Sequence, residues 1–181
     1  MKFGIGQPLK RKEDNKFLTG NGSYTDDLNF KDQVYMYILR SPFASAKIKK
    51  IDFSAAAKKE GIITILSNEI ITSLKINPML PGFTVKNKDG KDMTVTSRNI
   101  LADNKVRYVG EPILAIIANT IENAEEAADI IDIEYEDLES TTNIQDAIKK
   151  DAPIVRDGLS NNLCFDWELG ELAKTTESLN R

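Results

Sequence analysis

The sequence contains no histidine and a single cysteine, Cys164, among its 181 residues. One cysteine cannot form an internal disulfide, and without histidine the chain lacks the commonest metal ligand and the usual general base near neutral pH. Cysteine/histidine zinc sites and histidine-dependent catalytic triads are therefore excluded. Because no histidine is present to activate its thiol, Cys164, between Leu163 and Phe165, is expected to be a small packed apolar residue.

Long apolar runs and an excess of positive charge are also missing. The longest apolar run, Ile113 to Ala118, is far shorter than the roughly 20 residues of a membrane-spanning helix, and the N-terminus lacks a secretory pattern. We therefore expect a soluble cytoplasmic protein without a membrane span. The net charge of −4 disfavours nucleic acid as a partner, since binding to phosphates needs a concentrated basic face.

Apolar residues are nevertheless plentiful, at 41% of the chain, which is enough for one domain with its own core. We expect an ordered N-terminal arm over residues 1–32, a core over 33–150, and a C-terminal extension over 151–181 that ends in a polar tail. The arm is rich in Gly, Asn, Asp and Lys, and its few apolar residues follow neither a helical nor a strand period.

Several runs in the core predict β-strands. They are apolar or alternating and rich in β-prone residues, and they cover 33–40, 46–53, 62–66 and 133–135. In the second run the alternation slips at Lys49-Lys50, which is typical of a β-bulge.

Helix signals lie between these strands. Ser54 is expected to cap a turn over 55–59, and Ser67 a short helix over 68–73. Thr120 is expected to cap an amphipathic helix. Its apolar stripe consists of Ile121, Ala124, Ala127, Ala128, Ile130 and Ile131. The acidic residues between 122 and 139 have no Lys or Arg among them; a solvated face is the favoured interpretation, and a basic partner the alternative.

Proline and glycine mark a long loop over residues 77–92, with hairpin-turn chemistry at Asp89-Gly90. Beyond it, 105–108 and 113–118 are expected to form either two strands or one kinked strand, broken at Gly110-Glu111-Pro112. The order of elements indicates an α+β or mixed α/β domain with a long central β-hairpin and a few short helices.

Gly20-Asn21-Gly22 is a candidate phosphate-binding loop. A dinucleotide fingerprint, however, needs a preceding strand, a third glycine and a following helix, and the sequence predicts none of these here. The favoured interpretation is a tight turn at Gly20-Asn21-Gly22 that needs a positive φ angle.

Glu111 is the carboxylate of most interest, because it lies between Gly110 and Pro112 beside a strongly apolar strand. We hypothesise that these three residues have a structural role. They would form a bulge in which the Glu111 side chain contacts backbone N–H groups or a neighbouring domain. A catalytic role for Glu111 is disfavoured.

The chain also carries a colinear series of short motifs. They are Gly6-Gln7-Pro8, Leu18-Thr19-Gly20-Asn21-Gly22-Ser23-Tyr24, Arg40-Ser41-Pro42, Lys105 to Pro112, Glu134 to Leu138 and Phe165-Asp166-Trp167. In this order they resemble the start of molybdenum hydroxylase large subunits, the group of xanthine dehydrogenase, aldehyde oxidase and aerobic carbon monoxide dehydrogenase. The stretch from Arg107 to Pro112 mildly favours the carbon monoxide or aldehyde type.

The resemblance covers residues 6–170 and implies an a/b hammerhead domain. It further implies a parent enzyme that hydroxylates or oxidises a small substrate at a molybdenum-pterin centre and passes electrons through iron-sulfur clusters and usually FAD. In this family the regions that carry the cofactor loops and the catalytic glutamate follow the hammerhead domain, about where this chain stops. We therefore expect no catalytic, cofactor-binding or metal-binding residue in the chain itself.

Two functions are open at this point. The first is a structural and assembly module of such an oxidoreductase, with a molybdenum-binding region or subunit and iron-sulfur and flavin subunits as partners by resemblance. The alternative is a free-standing, non-enzymatic binding or scaffold protein, for instance a homo-oligomer that buries apolar surface left bare by missing domains.

Overall fold

The computed structural model describes residues 5–6, 8 and 10–180. Its backbone divides into two units, Met1–Gln33 and Val34–Arg181. Part of the predicted N-terminal arm, including Gln7 of the Gly6-Gln7-Pro8 motif, lies outside the described residues, and so does the last residue of the predicted C-terminal extension.

The first unit contains a short helix, α1 (Asp14–Leu18), and a 3₁₀ turn, Thr25–Asp27. The rings of Phe17 and Tyr24 stack with their centroids 5.0 Å apart. The backbone N–H of Tyr24 donates to the Asp27 carboxylate at 2.8 Å, which fixes the start of the 3₁₀ turn.

The second unit contains six strands in two antiparallel sheets. The strands are β1 (Tyr35–Arg40), β2 (Ala46–Asp52), β3 (Ile62–Leu66), β4 (Lys105–Val106), β5 (Pro112–Ala118) and β6 (Asp132–Asp137). The first sheet has the order β1-β5-β3, and the second has the order β4-β2-β6. The helices are α2 (Asn68–Ser73), α3 (Ile121–Asp129), α4 (Ile144–Ala147) and α5 (Leu172–Leu179). This mixed α/β architecture confirms the predicted fold class.

Strand β5 lies at the centre of the first sheet between β1 and β3, and α3 packs on the sheet. Ile113, Leu114 and Ile116 are completely buried. Ala124 and Ala127 of α3 are also completely buried, and their small side chains allow the helix to approach the sheet closely. The apolar stripe thus predicts both the helix and the face that it buries.

The second sheet is centred on β2. Its pairing with β6 shifts register between Ile48 and Lys50, which confirms the predicted bulge. Val106 of β4 and Ala46 of β2 are completely buried and belong to the same hydrophobic core as the residues of β5. The two sheets therefore share one core.

Two of the predicted helix caps are confirmed and one is wrong. The hydroxyl of Thr120 accepts from the backbone N–H of Asn123 at 3.2 Å, and that of Ser67 accepts from Ile70 at 3.5 Å. Ser54 does not cap the following 3₁₀ turn, Ala56–Lys58; its hydroxyl donates to the Asp52 carboxylate instead, and its backbone N–H donates to the same carboxylate at 3.1 Å. The side chain of Asp52 offers the nearer partner.

Residues 79–98 form a hairpin-like excursion between α2 and β4. Antiparallel bridges join Met79 to Arg98 and Lys86 to Asp92, and Gly90 has a φ of +81° at the tip. The predicted Asp89-Gly90 turn is confirmed, although the arms pair at isolated bridges and not along continuous strands.

The C-terminal segment contains a helix that the sequence does not predict. The region from Gly170 was expected to be a polar tail, whereas α5 occupies Leu172–Leu179, with both leucines highly exposed. None of the helices in the described part of the chain has the length and apolar character of a membrane span.

Candidate functional site

Two chain crossings between the sheets lie side by side at Gly110-Glu111-Pro112. Strand β1 of the first sheet leads through residues 41–45 to β2 of the second, and β4 of the second sheet leads through residues 107–111 to β5 of the first. We call these crossings, with the side chains that hold them, the sheet junction (residues 40–45 and 103–112). Residues 105–108 and 113–118 were expected to form either two strands or one kinked strand. The alternative of two strands is correct.

Backbone hydrogen bonds tie the two crossings together. The N–H of Ser41 donates to the carbonyl of Glu111 at 2.9 Å, and the N–H of Gly110 donates to the carbonyl of Ser41 at 2.8 Å. The guanidinium of Arg40 donates to the carbonyl of Gly110 at 2.9 Å. Gly110 itself has a φ of +87°, the left-handed conformation that glycine adopts without strain.

The side chain of Glu111 points inward and is buried, with 8% of the residue exposed. Its carboxylate accepts from the backbone N–H of Arg107, and its second oxygen lies 3.6 Å from the Arg107 guanidinium. The glutamate side chain thereby stabilises the turn between Arg107 and Glu111. A charge-assisted hydrogen bond of this kind stabilises the backbone geometry of the turn.

Arg107 connects Glu111 to the rest of the junction. Its guanidinium donates to the carbonyl of Lys105 at 2.8 Å and to the Asp103 carboxylate at 3.1 Å. Among the described residues, no acceptor is found for its buried Nε. The side chains of Arg107 and Glu111 are each only 10% exposed, so Asp103, Arg107 and Glu111 form a largely buried chain of alternating charge.

Lys105 extends these contacts to the C-terminal segment. Its side chain is 10% exposed, and its ammonium lies 3.2 Å from the Asp157 carboxylate and donates to the carbonyl of Ile154 at 3.4 Å. The sequence singled out Glu111 as a site residue but not Asp103, Lys105 or Arg107. The signal available for two of them was the four-residue spacing of Asp103, Arg107 and Glu111 with alternating charge.

Replacing Gly110 by alanine is expected to lower the free energy of unfolding by about 1–2 kcal/mol. A Cβ there would meet no atom within 4 Å, so the whole effect comes from the positive φ of this position. Gly82→Ala is the matched control, because it also has open space but no positive φ, and should be neutral or slightly stabilising. Urea unfolding followed by circular dichroism measures both; equal effects would contradict the proposed role of Gly110.

Gly20 and Gly22 of the N-terminal unit are required for different reasons. Gly20 has a φ of +72°, as the tight-turn interpretation expects. Gly22 is not in the left-handed region, and a Cβ there would overlap the ring of Phe17. Gly20 follows α1 and not a strand, so this segment lacks the strand-loop-helix order of a dinucleotide site.

The prediction that Cys164 is packed is wrong, since its side chain is exposed. The residue lies in a segment held by its backbone, and its carbonyl accepts from the N–H of Thr94 at 2.8 Å. One cysteine cannot hold an iron-sulfur cluster, which needs several thiolate ligands. Among the described residues, no cluster of three or more Asp, Glu or Cys is placed to hold a metal ion.

The acidic face of α3 is solvated, as favoured from the sequence, and Glu126 pairs with Lys59 on its border. A hydrogen bond from Lys59 holds the pKa of Glu126 below its usual value, and a hydrogen bond from Lys49 does the same to the pKa of Glu136. Both carboxylates are therefore more acidic in the folded chain than in the unfolded chain.

We expect the melting temperature to be flat from about pH 6 to 8 and to fall below about pH 4.5. Groups with a lowered folded pKa contribute stability above their unfolded pKa and lose it as the pH falls through the folded pKa. No histidine titrates in between. Thermal unfolding at several pH values measures this, and salt should weaken the acid effect because both pairs are exposed. A melting temperature that rises on acidification would contradict it.

The fold and the junction together define a mixed α/β domain of two small antiparallel sheets, cross-tied by a buried ion-paired turn. Residues 19–139 match the family described as "Aldehyde oxidase and xanthine dehydrogenase, a/b hammerhead domain". The chain belongs to this family, and the match confirms the resemblance found in the sequence.

Relatives extend the likeness beyond the family region. The chain is 31% identical over 178 residues to the carbon monoxide dehydrogenase large chain of Hydrogenophaga pseudoflava, covering 91% of this chain and 20% of that relative. It is 31% identical to the nicotinate dehydrogenase large molybdopterin subunit of Eubacterium barkeri, covering 93% of this chain and 36% of that relative. The crystal structure of quinoline 2-oxidoreductase from Pseudomonas putida 86 superposes with a TM-score of 0.70 at 31% identity, covering 91% and 20% of the two chains. The chain thus spans a minor part of each relative.

Proposed function

We propose that this chain is the N-terminal structural and assembly module of a molybdopterin-dependent oxidoreductase large subunit. It does not carry the chemistry; it supplies a rigid domain against which the molybdenum-binding region is positioned. The observation that carries the proposal is the 31% identity over 178 residues to a large chain of which it spans only 20%.

The charges of the sheet junction support a structural role. Glu111, Arg107 and Asp103 are committed to one another and to the backbone of the crossing. A general base must reach a substrate proton, and a buried carboxylate that already accepts from its own turn has no such access. The junction therefore serves to hold the two sheets in a fixed relation.

The proposed partners follow from the parent class. They are a molybdenum-pterin region, in the same polypeptide or in a separate subunit, and iron-sulfur and FAD-containing subunits that carry electrons away from it. We place the assembly in the cytoplasm.

The test is an affinity tag on the native gene, followed by purification and mass spectrometry of every polypeptide recovered. The proposal expects a molybdopterin-binding sequence, either within the tagged polypeptide or bound to it in constant ratio, together with electron-transfer subunits. The matched control is an untagged strain. Recovery of a homo-oligomer without any such sequence would contradict the proposal and support the free-standing scaffold.

A further inference from the structure

Two hydrogen-bonded segments of the second unit are rich in exposed apolar side chains. On the excursion, Met79, Leu80 and Phe83 are 55%, 68% and 78% exposed. On the C-terminal segment, Leu163, Phe165 and Trp167 are each 49% exposed. We call these two segments, residues 79–98 and 163–167, the apolar platform.

Specific hydrogen bonds hold the two segments of the platform together. The N–H of Thr94 donates to the carbonyl of Cys164, and that of Lys88 donates to the carbonyl of Asp166, both at 2.8 Å. The N–H of Asp166 donates to the side chain of Asn87 at 2.8 Å. The C-terminal segment therefore runs across the tip and the returning arm of the excursion.

The platform is ordered by polar contacts and not by a core of its own. Large apolar side chains that are fixed in solvent-exposed positions indicate a surface that binds another polypeptide. The large apolar residues at 163, 165 and 167 alternate in sequence with Cys164 and Asp166, so in an extended segment their side chains lie on one side.

The charges around the platform indicate what kind of partner fits. Lys86 pairs with Asp92 at 2.6 Å, and Lys88 with Asp166 at 3.2 Å. Lys91 likewise lies 2.8 Å from Asp89, and Arg98 lies over the ring of Tyr108. Because its lysines are paired with carboxylates in this way, the platform offers no concentrated basic face to a nucleic acid or to an anionic membrane. The remaining partner is an apolar protein surface.

We propose that the molybdopterin-binding region of the same large subunit packs on the apolar platform. The proposal rests on the function proposed above. It is supported by the relatives, in which the part similar to this chain is 20% and 36% of a longer polypeptide, so that in them much additional protein is available to cover this domain.

The test is the double variant Leu80→Asp/Phe83→Asp in the tagged protein from its native host. We expect molybdenum per tagged chain to fall at least about tenfold, because two apolar anchors become charged in a desolvated contact. If the molybdopterin-binding region lies in the same polypeptide, loss of its packing on the platform should also appear as rapid trypsin cleavage at Lys86, Lys88 or Lys91. The melting temperature of the domain should change by less than about 2 °C, since both side chains are exposed.

Ile144→Asp is the matched control, because Ile144 is 84% exposed on α4, outside the platform. It should leave molybdenum content and trypsin resistance unchanged. If the wild type holds molybdenum and the double variant retains it, the platform proposal is wrong while the proposed function stands. If the wild type is a metal-free oligomer that the double variant dissociates, a second copy covers the platform, and both proposals are wrong.

Discussion

Glu111→Gln is expected to lower the free energy of unfolding by about 3 kcal/mol. The substitution keeps the size of the side chain but removes its charge, so the buried guanidinium of Arg107 loses one of its two carboxylate partners. The new amide group also brings N–H donors toward the guanidinium of Arg107, which has no hydrogen-bond acceptor. Urea unfolding of the purified chain measures the loss.

Glu125→Gln is the control for Glu111→Gln, because Glu125 lies on the exposed face of α3. It should change the free energy of unfolding by less than about 0.5 kcal/mol. If Glu111→Gln changed the free energy of unfolding equally little but abolished assembly with the molybdenum-binding region, Glu111 would act at an interface and not in the sheet junction.

Ile116→Ala is expected to be the most damaging single change in the core, at about 3–4 kcal/mol. Ile116 is completely buried in β5 and stands between Tyr37 on β1 and Ile65 on β3. Truncation leaves a cavity that strands on both sides prevent from closing. Chemical unfolding followed by circular dichroism measures the effect.

Ile63→Ala supplies the comparison for Ile116→Ala, since Ile63 is a β-strand isoleucine that is 52% exposed. We expect it to cost less than about 1 kcal/mol, because little apolar surface is lost from the interior. Similar losses at both positions would mean that β5 is not the centre of the core.

Much of the local structure could be predicted from the sequence because it depends on neighbouring residues. The apolar stripe after Thr120, the slip at Lys49-Lys50 and the turn at Asp89-Gly90 each act over a few positions, and each is found where the pattern places it. The pattern failed at Ser54, because its hydroxyl donates to the nearby Asp52 carboxylate and does not cap the following turn.

Features that depend on distant pairing could not be predicted in this way. The break at Gly110-Glu111-Pro112 was visible, but nothing local shows that the strands on either side join different sheets. The burial of Lys105 likewise depends on Asp157, which lies far along the chain. Cys164 has apolar neighbours in sequence, yet its segment lies across an excursion with no core of its own, so the cysteine is exposed.

The sheet junction and the apolar platform have different roles in the proposed module. The junction locks the two sheets through buried charges, and the platform presents apolar side chains outward. Changes at the first should therefore affect folding, and changes at the second should affect assembly. The two sets of variants separate these roles.

The most direct test of the proposed function is the molybdenum content of the tagged protein purified from its native host, measured by mass spectrometry of the metal. A module of a molybdenum hydroxylase large subunit predicts close to stoichiometric molybdenum per tagged chain. Molybdenum at the background of the untagged strain, in a stable preparation that contains only this chain, would contradict that assignment.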